Sequence, residues 1–125
     1  HYHLAIAYKE MGLMEESIKE FQDAINLVHP DDGTRRFFQC ANLLGLCFME
    51  KQMPNLAIMW YRRGLETKNL NDDEQQALLY EIANAYESGG EEDKARDYFE
   101  KVYAVDVDYR DTSRRLQNLQ EKIIQ

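Results

Sequence analysis

The stretch Leu79–Val102, LYEIANAYESGGEEDKARDYFEKV, reads as one helical hairpin. Ala83 and Ala95 are small enough to let two helix backbones approach where they cross. Tyr86 and Phe99 would fill the space beside that crossing. Gly89-Gly90 supplies the turn between the two helices. The rest of the chain is read outward from this unit.

Self-comparison finds the unit twice more. Tyr8, Phe48 and Tyr86 form an aromatic column spaced by 40 and then 38 residues. Ala5, Gly45 and Ala83 form a small-residue column at the same spacings, and so do Ser17, Ala57 and Ala95. Phe21, Tyr61 and Phe99 keep the register, as do Leu4, Leu44 and Ile82. Within each copy the small residue and the aromatic three later share one helix face. No single hairpin can bury both of its apolar faces, so the hairpins must stack.

Bulk composition agrees with a packed globular chain. Of 125 residues, 44% are hydrophobic and 30% charged, with 6 Gly and 2 Pro, which excludes a disordered or collagen-like class. No apolar run approaches the roughly 18 residues of a membrane span. Net charge is −8, and Asp72–Glu100, with ten acids against two bases, carries all of it. An acidic surface repels phosphate backbones, so nucleic acid is not an expected partner. The acidity serves solubility or attracts a basic partner. Cys40 and Cys47 lie about two helical turns apart, beyond disulfide reach, and read as packing residues in a reducing compartment.

The columns resemble the tetratricopeptide repeat, whose L-G-x2-Y and A-x3-F pattern they follow. Leu4-Ala5-x2-Tyr8 with Ser17-x3-Phe21 is the first match, and Leu44-Gly45-x2-Phe48 with Ala57-x3-Tyr61 the second. Ile82-Ala83-x2-Tyr86 with Ala95-x3-Phe99 is the third. The motif's leading Trp is replaced by His1, Ala41 and Leu79, and its closing Pro is displaced to Pro30 or missing. The period exceeds the usual 34 or so residues. The within-hairpin spacing is unchanged, so the extra residues belong at His29–Arg36 and Thr67–Asp73. A period near 40 also fits HEAT-like repeats, against which the small and aromatic columns argue.

The resemblance implies an all-α fold: an α-solenoid of three antiparallel hairpins in a right-handed superhelical stack, closed by a seventh capping helix. The hairpins are expected over residues 1–30, 34–68 and 72–106 and the cap over 110–124, in one domain spanning 1–125. The opening His1-Tyr2-His3-Leu4, in mid-pattern, reads as an excised piece of a longer protein. Helices are expected over Tyr2–Met11 and Glu15–Val28, from a Thr34 cap to about Lys51, and from Pro54 to about Glu66. A capping box of Asn71 and Glu74 starts the next, to about Ser88. Glu91–Val105 follows. Arg110–Ile124 comes last, with Asp108 and Asp111 as a cap pair and an apolar stripe of Leu116, Leu119 and Ile123. A dimerising helix is the rival reading of that last segment. Trp60, next to Tyr61, is expected to pack rather than to stand on the convex side.

No catalytic or metal-binding set is legible. His1, His3 and His29 stand alone, and neither an HExxH, a GxSxG nor a phosphate loop occurs. Glu15-Glu16 and Glu91-Glu92 lie in helix first turns, where they favour the dipole. The chain is therefore expected to be no enzyme and to take no cofactor or metal. The family resemblance implies a peptide-binding groove lined by the first helix of each hairpin. Helical spacing from the core columns puts Tyr2, Ile6 and Lys9 on that face. The second hairpin adds Asn42, Leu46, Met49 and Glu50, and the third Tyr80, Asn84 and Glu87. Members that grip a C-terminal carboxylate do so with Lys, Asn and Arg at positions that here carry Tyr2, Ile6, Leu43, Ala77 and Glu81, so that mode is not expected.

The expected function is a non-catalytic scaffold in a cytoplasmic, bacterial protein. It would bind a peptide or helical segment with apolar and basic residues. The partner is a protein, with no nucleic acid and no membrane. The alternative is the structural end of a longer solenoid, mediating assembly or self-associating through the N-terminal edge, or the regulatory domain of a larger enzyme.

Overall fold

The computed structural model describes residues 1–124, with side chains through Lys122. It is all-helical, with no strand among the described residues. The helices are α1 (Tyr2–Glu10), α2 (Met14–Ile25), α3 (Arg36–Glu50), α4 (Pro54–Gly64), α5 (Asp72–Ser88), α6 (Glu92–Val105) and α7 (Thr112–Ile124). Each packs against the next: α1–α2, α3–α4 and α5–α6 as hairpins, and α2–α3, α4–α5 and α6–α7 as the contacts that stack them.

The repeat columns become the core. Ala5, Ala83, Ser17, Ala57 and Ala95 are fully buried, as are Phe21, Tyr61 and Phe99. Stacking is visible in the column Leu4, Leu44, Ile82. Leu44 and Ile82 are fully buried between hairpins, whereas Leu4, in the first hairpin, is 46% exposed. Ser17 replaces the alanine of the other copies at no cost, because its hydroxyl donates to the Ala5 carbonyl at 2.7 Å.

One turn closes all three hairpins. Gly12, Gln52 and Gly90 take left-handed backbone at φ 78°, 60° and 82°. The following amides of Leu13, Met53 and Glu91 each donate to the carbonyl of the column aromatic, Tyr8, Phe48 and Tyr86, at 2.9 Å. This is the six-to-one bond of a Schellman ending, which satisfies carbonyls the helix would leave open.

The longer period goes into the two connections between hairpins, and these are joined to each other. The Lys68 amide donates to the Pro30 carbonyl at 2.8 Å. Arg35 grips the Glu74 carboxylate with two nitrogens at 3.0 and 2.9 Å. Asp32 organises the first connection by accepting from the amides of His29 and Thr34 and from the Thr34 hydroxyl. Those bonds hold its pKa below the usual carboxylate value.

Helix ends differ from the sequence reading where tertiary or turn bonds intervene. α2 ends at Ile25, not Val28, because Leu27 and Val28 bond to carbonyls three residues back and tighten the last turn. α3 starts at Arg36, with Thr34 reaching only the Arg36 amide at 3.3 Å. α4 ends at Gly64 rather than near Glu66. The Asn71/Glu74 capping box is present in full. The Asp108/Asp111 pair is not a cap: the Asp111 carboxylate accepts instead from Tyr80 and Arg114. In α7, Leu119 is fully buried and Leu116 packs half-buried against the core. The Ile123 side chain lies outside the described residues. Trp60 is buried, with the Arg63 guanidinium over its ring.

Candidate functional site

The first helices of the hairpins and α7 form one row, and long charged side chains bridge its members. Lys9 of α1 reaches Glu50 of α3 at 3.3 Å. Arg35 at the start of α3 grips Glu74 of α5, and Arg115 of α7 reaches Glu87 of α5 at 2.7 Å. The expected groove residues lie along this row, in three groups with different surroundings.

The first group is Tyr2, at the end of the row. It lines a cleft of about 400 Å³ with Ala24, Leu27, Val28 and Arg36. The Arg36 guanidinium sits over its ring at 3.8 Å and Phe21 meets it edge-on. Burial pushes the Tyr2 hydroxyl pKa up against the opposing Arg36 charge.

The second group is Ile6, Lys9, Asn42, Leu46, Met49 and Glu50. Ile6 and Met49 are half-buried against the core, and Leu46 is half-buried but outside that cluster. Lys9 and Glu50 answer each other's charge. The Asn42 side-chain oxygen is buried and has no hydrogen-bond donor among the described residues. Three of these six residues are apolar, and the two charges pair with each other.

The third group, Tyr80, Asn84 and Glu87, is covered. Arg115 of α7 donates to the Tyr80 hydroxyl at 3.1 Å, to the Asn84 side-chain oxygen at 2.7 Å and twice to Glu87 at 2.9 and 2.7 Å. Its guanidinium carbon lies 4.9 Å from the centre of the Phe99 ring. Tyr80 donates in turn to Asp111 at 2.5 Å. Burial lowers the Arg115 pKa, but the Glu87 bond and the charges around it raise it further than burial lowers it. Arg110 pairs with Glu81 at 3.1 Å and lies over the Tyr80 ring at 4.8 Å. Lys122 reaches Glu92 at 3.3 Å. Part of the acidity of the third hairpin is thus answered from within the chain.

The sequence reading missed Arg115 and Arg110, since α7 lies outside the repeat columns. One signal was available. Tyr2 and Tyr80 occupy the same column, and each carries an arginine over its ring, Arg36 of α3 over Tyr2 and Arg110, just ahead of α7, over Tyr80. Also missed was the approach of His1, Glu20 and Asp23, whose ligand-type atoms lie within 4.8 Å of one another. A 2.5 Å hydrogen bond between His1 Nδ1 and Glu20 Oε2 joins two of the three.

The buried cysteines offer no reactive group. Burial pushes the Cys40 thiol up to about 11 and raises Cys47 as well, so neither is a thiolate at neutral pH. No helix among the described residues is long and apolar enough to cross a membrane.

Comparison with known families agrees with the columns. Residues 76–105 match one tetratricopeptide-repeat model and residues 1–27 match another. No curated protein matches the chain. Repeats of this kind generally mediate protein–protein interaction. With three hairpins that share their core columns and turns, and family matches to the first and the third, the chain is a tetratricopeptide repeat protein.

Proposed function

We propose that the chain is a non-catalytic interaction module. It holds an amphipathic helical segment, with apolar anchors and basic residues, along the row of first helices. The single observation that carries this is α7 itself. A helix with an apolar stripe and projecting arginines already lies against Tyr80, Asn84 and Glu87. The chemistry of the row therefore suits such a helix. Ile6, Leu46 and Met49 offer the apolar part, and no catalytic set competes for the role.

A display selection of helical peptides on the intact chain tests the reading. Selected peptides should pair apolar residues at helical spacing with Lys or Arg. They should lose at least tenfold in affinity to Leu46→Asp, while circular dichroism and melting match the unsubstituted chain. Leu46 is the better probe, because Met49→Asp also removes a core contact. Equal affinity for the folded Leu46→Asp variant would exclude the row.

A second reading has its own observation. Leu4 and Ala7 of α1 and Met11 just past its end line one exposed face, with Leu4 46% and Met11 62% exposed. Such a face suits assembly with another hairpin, including that of a second copy. Light scattering of the chain and of a Leu4→Lys, Met11→Lys variant separates the cases. A dimer that the variant abolishes supports the second reading, and a monomer in both rejects it for this chain.

A further inference from the structure

We infer that the α5 face beneath α7 is a binding surface in its own right, an arginine socket whose ligand is an arginine-bearing amphipathic helix, and that α7 stands in for that ligand until it is displaced. The inference rests on the groove reading and deepens it, because it divides the row into an open part, on α1 and α3, and a part that the chain keeps occupied.

Two sets of observations carry it. The first is the chemistry of the socket. Tyr80, Asn84 and Glu87 come from one face of α5 at spacings of four and three residues, and all three accept from the single guanidinium of Arg115. The Phe99 ring closes the floor. A planar fork of five donors over an aromatic face is matched by arginine and not by lysine. Arg110, just ahead of α7, on Glu81 of α5 and Lys122 of α7 on Glu92 at the start of α6 add further cation–carboxylate pairs on either side. The occupant is therefore specified: a helix with one central arginine and flanking cations.

The second is that α7 lies outside the repeat register. Leu119 is its one fully buried large apolar side chain among the described residues. The hydroxyl of Thr112, at its start, is buried without a hydrogen-bond partner among the described residues. Asp106, Val107 and Asp108, which lead into it, are exposed, and Arg110 takes left-handed backbone at φ 42°. For a residue with a side chain that conformation is strained. By contrast α1 to α6 share the repeat columns and the connections bonded to each other. α7 is held by Leu119 and Leu116 packed against the core and by the Arg115 socket, and a tethered segment keeps its site filled at an effective concentration of order millimolar. A competing helix must overcome that tether, so the socket binds partners only when they match it well.

The test uses the full chain and a labelled peptide of residues 108–124. In Arg115→Ala, hydrogen exchange of the α7 amides should quicken at least tenfold while α5 and α6 keep their rates. The peptide, carrying its own arginine, should then bind Arg115→Ala at least tenfold more tightly than the unsubstituted chain. Adding Glu87→Gln should remove that gain. Arg115→Lys, which keeps the charge but not the fork, should shift exchange in the same direction with less risk to folding. Unchanged α7 exchange in Arg115→Ala, or peptide binding no tighter than to the unsubstituted chain, would overturn the socket. Leu46→Asp should leave this peptide's binding unchanged, so the socket and the open groove fail independently.

Discussion

At Gly45 a Cβ atom would sit 2.2 Å from a carbon of the Tyr61 ring. Helix propensity alone would favour alanine there by about 1 kcal/mol, yet the crossing of α3 and α4 leaves no room. Gly45→Ala should therefore destabilise the chain by about 1–3 kcal/mol, the usual penalty of overpacking, read as a lower midpoint in urea. Gln52 makes the opposite case. It takes the left-handed turn position that Gly12 and Gly90 hold in the other hairpins. Gln52→Gly should raise stability by roughly 0.5–1 kcal/mol, since glycine occupies that conformation without strain. A drop in the midpoint would mean that the Gln52 side chain makes a contact that outweighs its backbone strain. Both residues stood in the repeat register, but the sequence alone could not distinguish a small residue that is tolerated from one that the Tyr61 ring requires.

Two candidate cap pairs at the scale of single helices show which local signals survive folding. Asn71 and Glu74 read as a capping box and form one, since both partners lie within three residues. Asn71→Ala should cost about 1 kcal/mol, checked by thermal melting. Asp108 and Asp111 have the same spacing and form no cap. Tyr80, 31 residues away, claims the Asp111 carboxylate at 2.5 Å, and Arg114 and Arg115 add their charge. No local rule anticipates a partner at that distance. The consequence is a pH dependence. Burial pushes the Asp111 pKa up, but the bonds from Tyr80 and Arg114 and the Arg115 charge outweigh it and hold the pKa below the ordinary value. A lowered folded-state pKa stabilises docking above the ordinary carboxylate pKa of about 3.9 and is lost as pH falls through the lowered value. Exchange of α7 amides should therefore quicken below about pH 4 before the α1–α6 core melts. Asp111→Asn should abolish that acid step, and a step that persists in the variant would assign it to another carboxylate.

Across the whole molecule, stacking was legible because it imposes columns. A small residue at each crossing and an aromatic beside it recur whatever the connecting loops do. The extra residues at His29–Arg36 and Thr67–Asp73 were legible as insertions, but their bonding to each other through Pro30, Lys68, Arg35 and Glu74 was not. The candidate site divides the same way. Helical spacing brings Ile6, Lys9, Asn42, Leu46, Met49 and Glu50 to one row. It gives no hint that Tyr80, Asn84 and Glu87 lie under Arg115, because that contact joins a repeat to a helix outside the repeat. The chain's charge is likewise organised globally: Glu81, Glu87 and Glu92 of its acidic hairpin pair with Arg110 ahead of α7 and with Arg115 and Lys122 of α7.

The most direct test of the central claim is to map amide chemical shifts on the intact chain as a selected helical peptide is added. Binding along the open part of the row predicts that the largest changes fall on α1 and α3, around Ile6 and Leu46. Changes concentrated on α2, α4 and α6, with those residues unmoved, would contradict it.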